Sequence, residues 1–180
     1  MPLLKDQKCT ATDYWALPDG RRAELIDGTL YDLASPSRIH QKAVSALNWI
    51  ISDYIQHRGG PCEVYPAPFL VNLNGDESCF VEPDLSVICD PDKLSDRGCE
   101  GAPDWVIEIV SPSSRRMDCQ KKIALYGEAG VREYWIVDPA HQRATVYRFE
   151  ADEAPTVYSF DQPVPVGIYD GFEIVIAALL

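Results

Sequence analysis

The sequence predicts a mixed α/β fold in which a central sheet is flanked by helices. Two segments, 36–57 and 115–128, follow a helical period, and short strand-like segments lie before, between and after them. A nearly continuous apolar run at 105–110 is typical of a central strand that is buried on both faces. Because strands and helices do not alternate strictly, we expect a mixed sheet and not a doubly wound parallel one.

The length and composition are those of a globular protein. The chain has 180 residues, of which 46% are hydrophobic and 24% are charged. We therefore expect one domain over residues 1–180. No apolar run approaches the roughly 18 to 20 residues of a membrane span, and the amino terminus lacks the apolar core of a signal peptide. These features predict a cytoplasmic protein that does not contact a membrane.

The first elements are predicted to be a short helix or turn within 9–20 and then a β-hairpin. The dipeptide Asp27-Gly28 is a strong signal for a two-residue hairpin turn, and apolar pairs lie on both sides of it. Glu24 then lies on the first strand of this hairpin.

The first long helix is predicted over residues 36–57. Apolar side chains recur there at steps of four, four, three and four residues: Ile39, Ala43, Leu47, Ile50 and Tyr54. Ser35 is the expected N-cap, because Pro36 after it fits the first turn of a helix. Gly59 and Gly60 are expected to end the helix.

The remaining segments are expected to build a core sheet of four or five strands. The predicted strands lie at 62–73, 79–89, 105–110, 133–139, 144–149 and 172–176. Pro83 cannot donate to a strand ladder, so it predicts an edge, a bend or a bulge. Residues 90–104 carry five acids and are expected to form a solvated loop. Gly130 is expected to close the second helix.

The net charge argues against a simple nucleic-acid-binding surface. Sixteen Lys and Arg residues against twenty-eight Asp and Glu residues give a net charge of −12, and the pI is about 4.5. Sequence-independent DNA binders normally present a basic face, whereas no basic run here exceeds two residues. A DNA-related function therefore needs support from the residues of a site.

The six cysteines contain no Cys-x-x-Cys pair, and the three histidines are scattered along the chain. This spacing does not predict a zinc site. We expect free and mostly buried thiols, as is usual in a reducing cytoplasm.

One carboxylate, Glu108, lies inside the apolar run at 105–110. An ionised glutamate is almost never fully buried without a partner, and a metal ion or a lysine is such a partner. Strand alternation places Glu108 on the same face as Val106 and Val110. A core glutamate in a structural salt bridge, or one at the frayed end of the strand, is the alternative interpretation.

Asp84 and Lys122 are the other candidates for chemistry. Asp84 follows Pro83, and two carboxylates that converge from neighbouring strands suit Mg²⁺, which prefers oxygen ligands. Lys122 follows the Glu108 strand on a helix, where Asp118, Lys122 and Tyr126 share one face at i, i+4 spacing. A Pro-Asp turn and a surface lysine paired with Asp118 are the structural alternatives.

Taken in order, these segments resemble the restriction-endonuclease-like PD-(D/E)XK nucleases. They resemble more closely a large bacterial family of endonuclease-like proteins of unknown function that is abundant in cyanobacteria. The similarity spans roughly residues 20–140. The matching segments are Glu24-Leu-Ile-Asp-Gly, Ser35-Pro to His40, Glu82-Pro-Asp-Leu-Ser-Val, Val106-Ile-Glu-Ile-Val-Ser-Pro-Ser-Ser, Asp118 to Lys122-x-x-x-Tyr126 and Gly130-Val-Arg-Glu-Tyr-Trp-Ile-Val-Asp-Pro.

The resemblance implies roles for particular residues. Asp84 and Glu108 would hold Mg²⁺ or Mn²⁺, with the Ile109 carbonyl as a further ligand. Glu24 would stand near the metal and orient a ligand or join its shell. Lys122 would replace the lysine that the superfamily places two residues after the glutamate, a position that is Val110 here.

His40 belongs to the same resemblance, which implies a contact with a substrate phosphate. A histidine that packs over the sheet at the start of a helix is the structural alternative.

The function implied is metal-dependent hydrolysis of phosphodiester bonds, with DNA as the substrate. A homodimer would let two sites address two strands. Two other functions stay open. One is a catalytically weak or inactive nuclease-fold module that acts in binding or assembly, which the acidic balance and the missing Glu-x-Lys lysine favour. The other is a phosphoesterase for a small substrate, which needs no basic surface.

Overall fold

The computed structural model describes residues 8–112, 114–151 and 153–180. Within these ranges the α-helices are α1 (Ala11–Trp15), α2 (Arg38–Arg58) and α3 (Lys122–Ala129). Short 3₁₀ turns cover Pro91–Lys93 and Ile176–Ala178, and Met117–Lys121 forms a π-helical turn directly before α3.

Short strands make up most of the remaining regular structure. In the described part of the chain they are β1 (Ala23–Ile26), β2 (Thr29–Asp32), β3 (Glu63–Pro66), β4 (Val71–Asn72), β5 (Phe80–Val81), β6 (Leu85–Ile88), β7 (Leu94–Ser95), β8 (Gly98–Glu100), β9 (Trp105–Ile109), β10 (Glu133–Asp138), β11 (Arg143–Arg148), β12 (Thr156–Ser159), β13 (Pro163–Pro165) and β14 (Glu173–Val175).

These strands form two mixed sheets and one hairpin within the described ranges. The first sheet has the order β2-β1-β5-β4-β8-β7, the second has the order β12-β11-β10-β9-β6-β3, and β13 pairs with β14. In the second sheet β9 runs parallel to β10, and the other pairs are antiparallel. The predicted fold class, a mixed α/β arrangement, is confirmed, although the second sheet has six strands where four or five were expected.

The amino-terminal hairpin forms as its sequence predicts. Asp27 and Gly28 both have positive φ angles, 53° and 75°, as a tight two-residue turn requires. Glu24 lies on β1 and is buried. β5 ends at Val81 and β6 begins at Leu85, so the chain is interrupted around Pro83 as expected.

Helix α2 has a different amino-terminal cap from the one predicted. The Ser37 side chain accepts a hydrogen bond from the His40 backbone N–H, and the helix starts at Arg38. Ser35 was therefore the wrong N-cap, because the chain stays extended for two more residues after it. The helix ends at Gly59 as predicted.

The core consists of two apolar layers, one on each face of the second sheet. Trp105, Ile107 and Ile109 pack on the α2 side, and Val106 and Val110 pack on the α3 side. Alternation along β9 places Glu108 on the same face as Val106 and Val110, as predicted, and this face is the α3 side. The buried positions of α2 are Ala43, Val44, Leu47 and Ile51, whereas Ile39 is exposed.

Two sequence predictions about residues 60–104 were wrong. The segment 90–104 contains β7 and β8, which belong to the first sheet, and Cys99 there is buried. Cys62 and Cys89 form a disulfide instead of staying free. They meet because β3 and β6 pair with Glu63 opposite Ile88, a register that the spacing of cysteines does not reveal. Cys9, Cys79, Cys99 and Cys119 are free thiols.

A helix that crosses a membrane needs about 20 mostly apolar residues. Among the described residues, no helix combines the length and the apolar composition of a membrane span.

Candidate active site

The interruption between β5 and β6 positions Asp84. Its Oδ2 accepts a hydrogen bond of 2.7 Å from the backbone N–H of Ile109, at the end of β9. The same oxygen lies 3.0 Å from His40 Nε2, in the first turn of α2. Asp84 thereby joins β6, β9 and α2 at one point.

Glu108 and Lys122 form the centre of a buried cluster. The Lys122 ammonium lies 2.8 Å from Glu108 Oε1 and 2.9 Å from Glu24 Oε1. Asp118 Oδ1 lies 3.7 Å from the same nitrogen. The Tyr126 hydroxyl donates a hydrogen bond of 2.8 Å to Glu108 Oε1. We call Glu24, Glu108, Asp118, Lys122 and Tyr126 the buried acidic cluster.

The π-helical turn and α3 explain this convergence. Asp118 lies in the turn Met117–Lys121, and Lys122 and Tyr126 follow on the same side of α3 at i, i+4 spacing. This side faces the α3 layer of the sheet, where Glu108 projects. All five members of the buried acidic cluster are at most 4% exposed.

The cluster contains three carboxyl groups and one ammonium group, and burial shifts their pKa values. Burial raises the pKa of Glu108 well above its usual value, although Lys122 opposes this. Burial likewise raises the pKa of Asp118 against the effect of Lys122. For Lys122, burial lowers the pKa, but Glu108, Glu24 and Asp118 outweigh it and raise the pKa. One ammonium group therefore neutralises three carboxyl groups only in part.

His40 is held differently from the buried acidic cluster. Burial lowers its pKa, but the hydrogen bond and the charge of Asp84 outweigh this effect, so that the pKa is raised. Within the described residues its Nδ1 is buried without a hydrogen-bond partner. The imidazole is thus anchored on one side by Asp84.

A cleft of about 460 Å³ opens over these residues. Its lining includes every residue that the sequence analysis named as a site candidate: Glu24, His40, Asp84, Glu108, Ile109 and Lys122. Asp118 also lines it. Glu24, Asp84, Glu108 and Asp118 therefore face one cavity, and Asp32 and Glu82 also contribute to its lining.

The structure adds Asp118 and Tyr126 to the residues that make up the site. Sequence reasoning put both on one helix face with Lys122 but gave them no role there. The signal that could have found them was burial: a lysine that faces a buried strand needs more than one carboxylate around it, and its own i−4 neighbour is the nearest source.

The donor chemistry of the cleft fits a divalent cation. Mg²⁺ prefers carboxylate oxygens, and the cluster holds an excess of them. In the described part of the chain, hydrogen bonds engage Oδ2 of Asp84 and Oε1 of Glu108, and the second oxygen of each carboxylate is left for a ligand role. Among the same residues, no three His, Cys, Asp or Glu side chains already form a metal-binding group.

Comparison with known proteins shows which family the chain belongs to. The model of the Uma2 family, described as "putative restriction endonuclease", matches residues 11–177. The chain belongs to this family. Membership of an endonuclease-like family, which the sequence motifs predicted, is thereby confirmed.

Two similar proteins come from cyanobacteria. The uncharacterized protein slr1290 of Synechocystis is 24% identical over 139 residues, which are 77% of this chain and 72% of the relative. A crystal structure described as a putative nuclease belonging to DUF820, from Anabaena variabilis, superposes with a TM-score of 0.77. At 22% identity it covers 95% of this chain and 99% of that one, and it shows that the two proteins share a fold.

Proposed function

We propose that this protein is a divalent-metal-dependent nuclease that hydrolyses phosphodiester bonds of DNA. The observation that carries the proposal is the convergence of Glu24, Asp84, Glu108 and Asp118 on one cleft, where carboxyl groups outnumber the basic groups of the lining. Buried carboxylates in such excess favour a bound cation. Membership of the Uma2 family supports nuclease chemistry.

Asp84 and Glu108 would hold Mg²⁺ or Mn²⁺, with the Ile109 carbonyl as a further ligand and Glu24 close by. When bound, the cation would polarise a phosphoryl oxygen and lower the pKa of a coordinated water. Tyr126 orients Glu108 through its hydrogen bond to Oε1. The Ile109 N–H orients Asp84 in the same way.

Lys122 and His40 are the groups that we assign to the substrate. The Lys122 ammonium would orient the attacking water or stabilise the charge that builds on the phosphoryl oxygens. His40, at the start of α2 and on the wall of the cleft, would contact a phosphate oxygen. The raised pKa of His40 beside Asp84 favours the cationic form that such a contact needs.

The decisive test replaces the proposed metal ligands Glu108 and Asp84 and compares these variants with a variant of Glu133, which is buried on the neighbouring strand. Wild type is expected to cleave DNA with Mg²⁺ or Mn²⁺ and to stop when EDTA is added. Glu108→Gln and Asp84→Asn should each lower the rate by about 100-fold or more, because the loss of a ligand exceeds the roughly 10- to 100-fold cost of removing its outer-shell support.

Glu133→Gln is the matched control. Glu133 is as buried as Glu108, but it accepts hydrogen bonds from Trp135 Nε1 and the Ile168 N–H, away from the cleft. Calorimetric titration with Mn²⁺ should show binding by wild type and Glu133→Gln and none by Glu108→Gln or Asp84→Asn. Metal binding that survives both cleft substitutions would contradict the proposed ligands.

A homodimer is part of the same proposal, since two sites are needed to cut two strands and two-fold dimers are the commonest assembly. Sedimentation equilibrium should then give twice the chain mass of 20.1 kDa. A monomeric mass for a protein that cuts both strands would contradict it.

A second candidate is a catalytically weak or inactive member that acts in binding or assembly. The observation that favours it is that Lys122 already occupies the centre of the carboxylates, while no preformed three-residue metal group exists among the described residues. Wild type that binds no Mn²⁺ and leaves DNA intact would support this candidate over the nuclease.

A further inference from the structure

A second charged cluster lies at the end of β10, outside the cleft. The Arg115 guanidinium holds both oxygens of Asp138, at 2.8 and 3.2 Å. His141 donates its backbone N–H to Asp138 Oδ1 at 3.2 Å, and its ring Nδ1 lies 2.9 Å from Oδ2. Arg143 Nε lies 3.8 Å from Oδ2. We call Arg115, Arg116, Asp138, His141 and Arg143 the basic cluster.

In the basic cluster the basic side chains are exposed to solvent, whereas the Asp138 side chain is buried. The Asp138 side chain is 4% exposed, whereas those of Arg115, Arg143 and His141 are 37%, 51% and 57% exposed. Arg116 is also exposed. Within the described residues, Asp138 is the acid that pairs with Arg115 and Arg143. Arg115 and Arg143 therefore share one buried carboxylate, and the exposed Arg116 follows Arg115 directly in the chain, so that arginines outnumber the acid at this surface.

The Asp138 carboxyl group is ionised and contributes one negative charge to the basic cluster. Burial raises the pKa of Asp138, but the hydrogen bonds from Arg115 and His141 outweigh it, and the pKa is lowered below its usual value. The guanidinium of Arg115 is correspondingly stabilised as a cation by Asp138. Among the described residues, the three arginine charges of the basic cluster therefore face one carboxylate, that of Asp138.

The strand register puts this cluster beside the cleft. Ile136 of β10 is paired in parallel with Glu108 of β9, and Asp138 lies two residues further on the same face. With strands about 4.8 Å apart and a rise of about 3.3 Å per residue, the Cα atoms of Glu108 and Asp138 are about 8 Å apart. Arg115 follows the segment 111–114, of which Ser111, Pro112 and Ser114 line the cleft.

We infer that Arg115, Arg116 and Arg143 form a binding surface for the phosphate backbone of DNA next to the cleft. The inference rests on the proposed function and names the part of the molecule that receives the substrate. Arginine guanidinium groups are the preferred partners of phosphates. The surface also provides exposed cations that a net charge of −12 does not reveal.

Three other arginines, Arg21, Arg22 and Arg132, lack this character. Arg132, just before the opposite end of β10, pairs with both Asp104 and Glu150. Arg21 pairs with Asp32, and Arg22 pairs with Glu82. Each of these arginines has at least one carboxylate of its own. Arg132 is therefore the matched control: its side chain is 39% exposed, similar to the 37% of Arg115, but it lies at the opposite end of β10.

The test measures binding of a short fluorescent DNA duplex by anisotropy in EDTA, so that no hydrolysis occurs. Arg143→Gln and Arg116→Gln are the primary variants, because their exposed side chains can change without unfolding the protein. At about 0.1 M salt each lost phosphate contact should weaken binding roughly 8-fold and reduce the slope of log K against log salt by about 0.9. Arg132→Gln should bind as wild type does.

The outcomes separate this inference from the proposed function. If wild type binds the duplex and neither Arg143→Gln nor Arg116→Gln weakens binding, the basic cluster is not the binding surface. The same conclusion follows if Arg132→Gln weakens binding equally. In both cases DNA remains the proposed substrate. Wild type that binds no duplex in EDTA and cleaves none with Mn²⁺ overturns both proposals. Cleavage with Mn²⁺ without measurable binding in EDTA overturns the surface alone, since the basic cluster contains no metal ligand.

Discussion

Two charged clusters lie about 8 Å apart on one face of the second sheet, and their compositions are opposite. The buried acidic cluster surrounds one lysine with three carboxyl groups, whereas the basic cluster surrounds one carboxylate with arginines and a histidine. In both, the central group is almost fully buried. They differ in the shell, which is buried in the first cluster and exposed in the second.

This difference decides what each cluster can bind. Where the shell is buried, desolvation raises the pKa values of Glu108 and Asp118, and a small cation that replaces lost water is favoured. Where the shell is exposed, the arginines keep their hydration and their charge, and Asp138 has a lowered pKa. Under the proposed function, the first cluster would hold the metal ion and the second would bind the polyanion, so that together they would match a phosphodiester.

The largest effect is expected from replacing Lys122, the cation at the centre of the buried acidic cluster. Lys122→Met leaves Glu24, Glu108 and Asp118 buried without a cation, which should destabilise the protein by about 3 to 5 kcal/mol. Urea unfolding in EDTA measures this loss. Mn²⁺ should then raise the stability of the variant more than that of wild type, because the cation would take the place of the missing ammonium.

Lys121→Met is the control for this change. Lys121 precedes Lys122 in the chain, but it pairs with the exposed Asp27 and with Tyr31 near the surface. Its loss should cost less than about 1 kcal/mol. If Lys121→Met were as destabilising as Lys122→Met, or if Mn²⁺ did not favour the Lys122 variant, the electrostatic account of the cluster would be wrong.

A smaller effect is expected from two tyrosine variants. They test whether a hydrogen bond to a charged acceptor stabilises the protein more than a hydrogen bond to a neutral acceptor. Tyr126→Phe removes a donor to the Glu108 carboxylate and should cost about 1.5 to 3 kcal/mol. Tyr134→Phe removes a donor to the neutral Asp118 carbonyl and should cost about 1 kcal/mol. Both rings are fully buried, so packing is matched. Equal losses in urea unfolding would show that Glu108 does not carry appreciable charge.

Much of the fold and the site could be predicted because the signals are local. The Asp27-Gly28 turn, the period of α2 and the apolar β9 each depend on adjacent residues. Glu108 was identified as a candidate since a charge in a buried strand needs a partner. Asp84 and Lys122 were identified from the proline and the helix face beside them, and the ordered motifs added Glu24 and His40. All of them line one cleft.

The features that were missed depend on contacts between distant segments. The pairing of β3 with β6 sets Cys62 against Cys89, and β8 becomes ordered because it pairs with β4. The basic cluster requires Arg115, Asp138 and Arg143 to meet across a helix and two strands. Neither the net charge nor the absence of long basic runs reveals a local excess of arginines of this kind.

The smallest expected effect concerns the central acid of the basic cluster. Because the pKa of Asp138 is lowered in the folded state, the ionised carboxylate stabilises the fold above its unfolded pKa of about 3.9, and this contribution is lost as the pH falls through the folded value. Asp138→Asn should therefore cost about 1 to 2 kcal/mol at neutral pH, since charged hydrogen bonds are roughly twice as strong as neutral ones. The difference should shrink below about pH 4.

Urea unfolding of wild type and Asp138→Asn across this range measures the effect, and Asp32→Asn is the control. The Asp32–Arg21 pair is exposed on both sides, so this control should change stability little at any pH. A difference between wild type and Asp138→Asn that stays constant down to low pH would mean that Asp138 contributes through packing and not through charge. The basic cluster would then lack the ionised centre that holds its arginines in place.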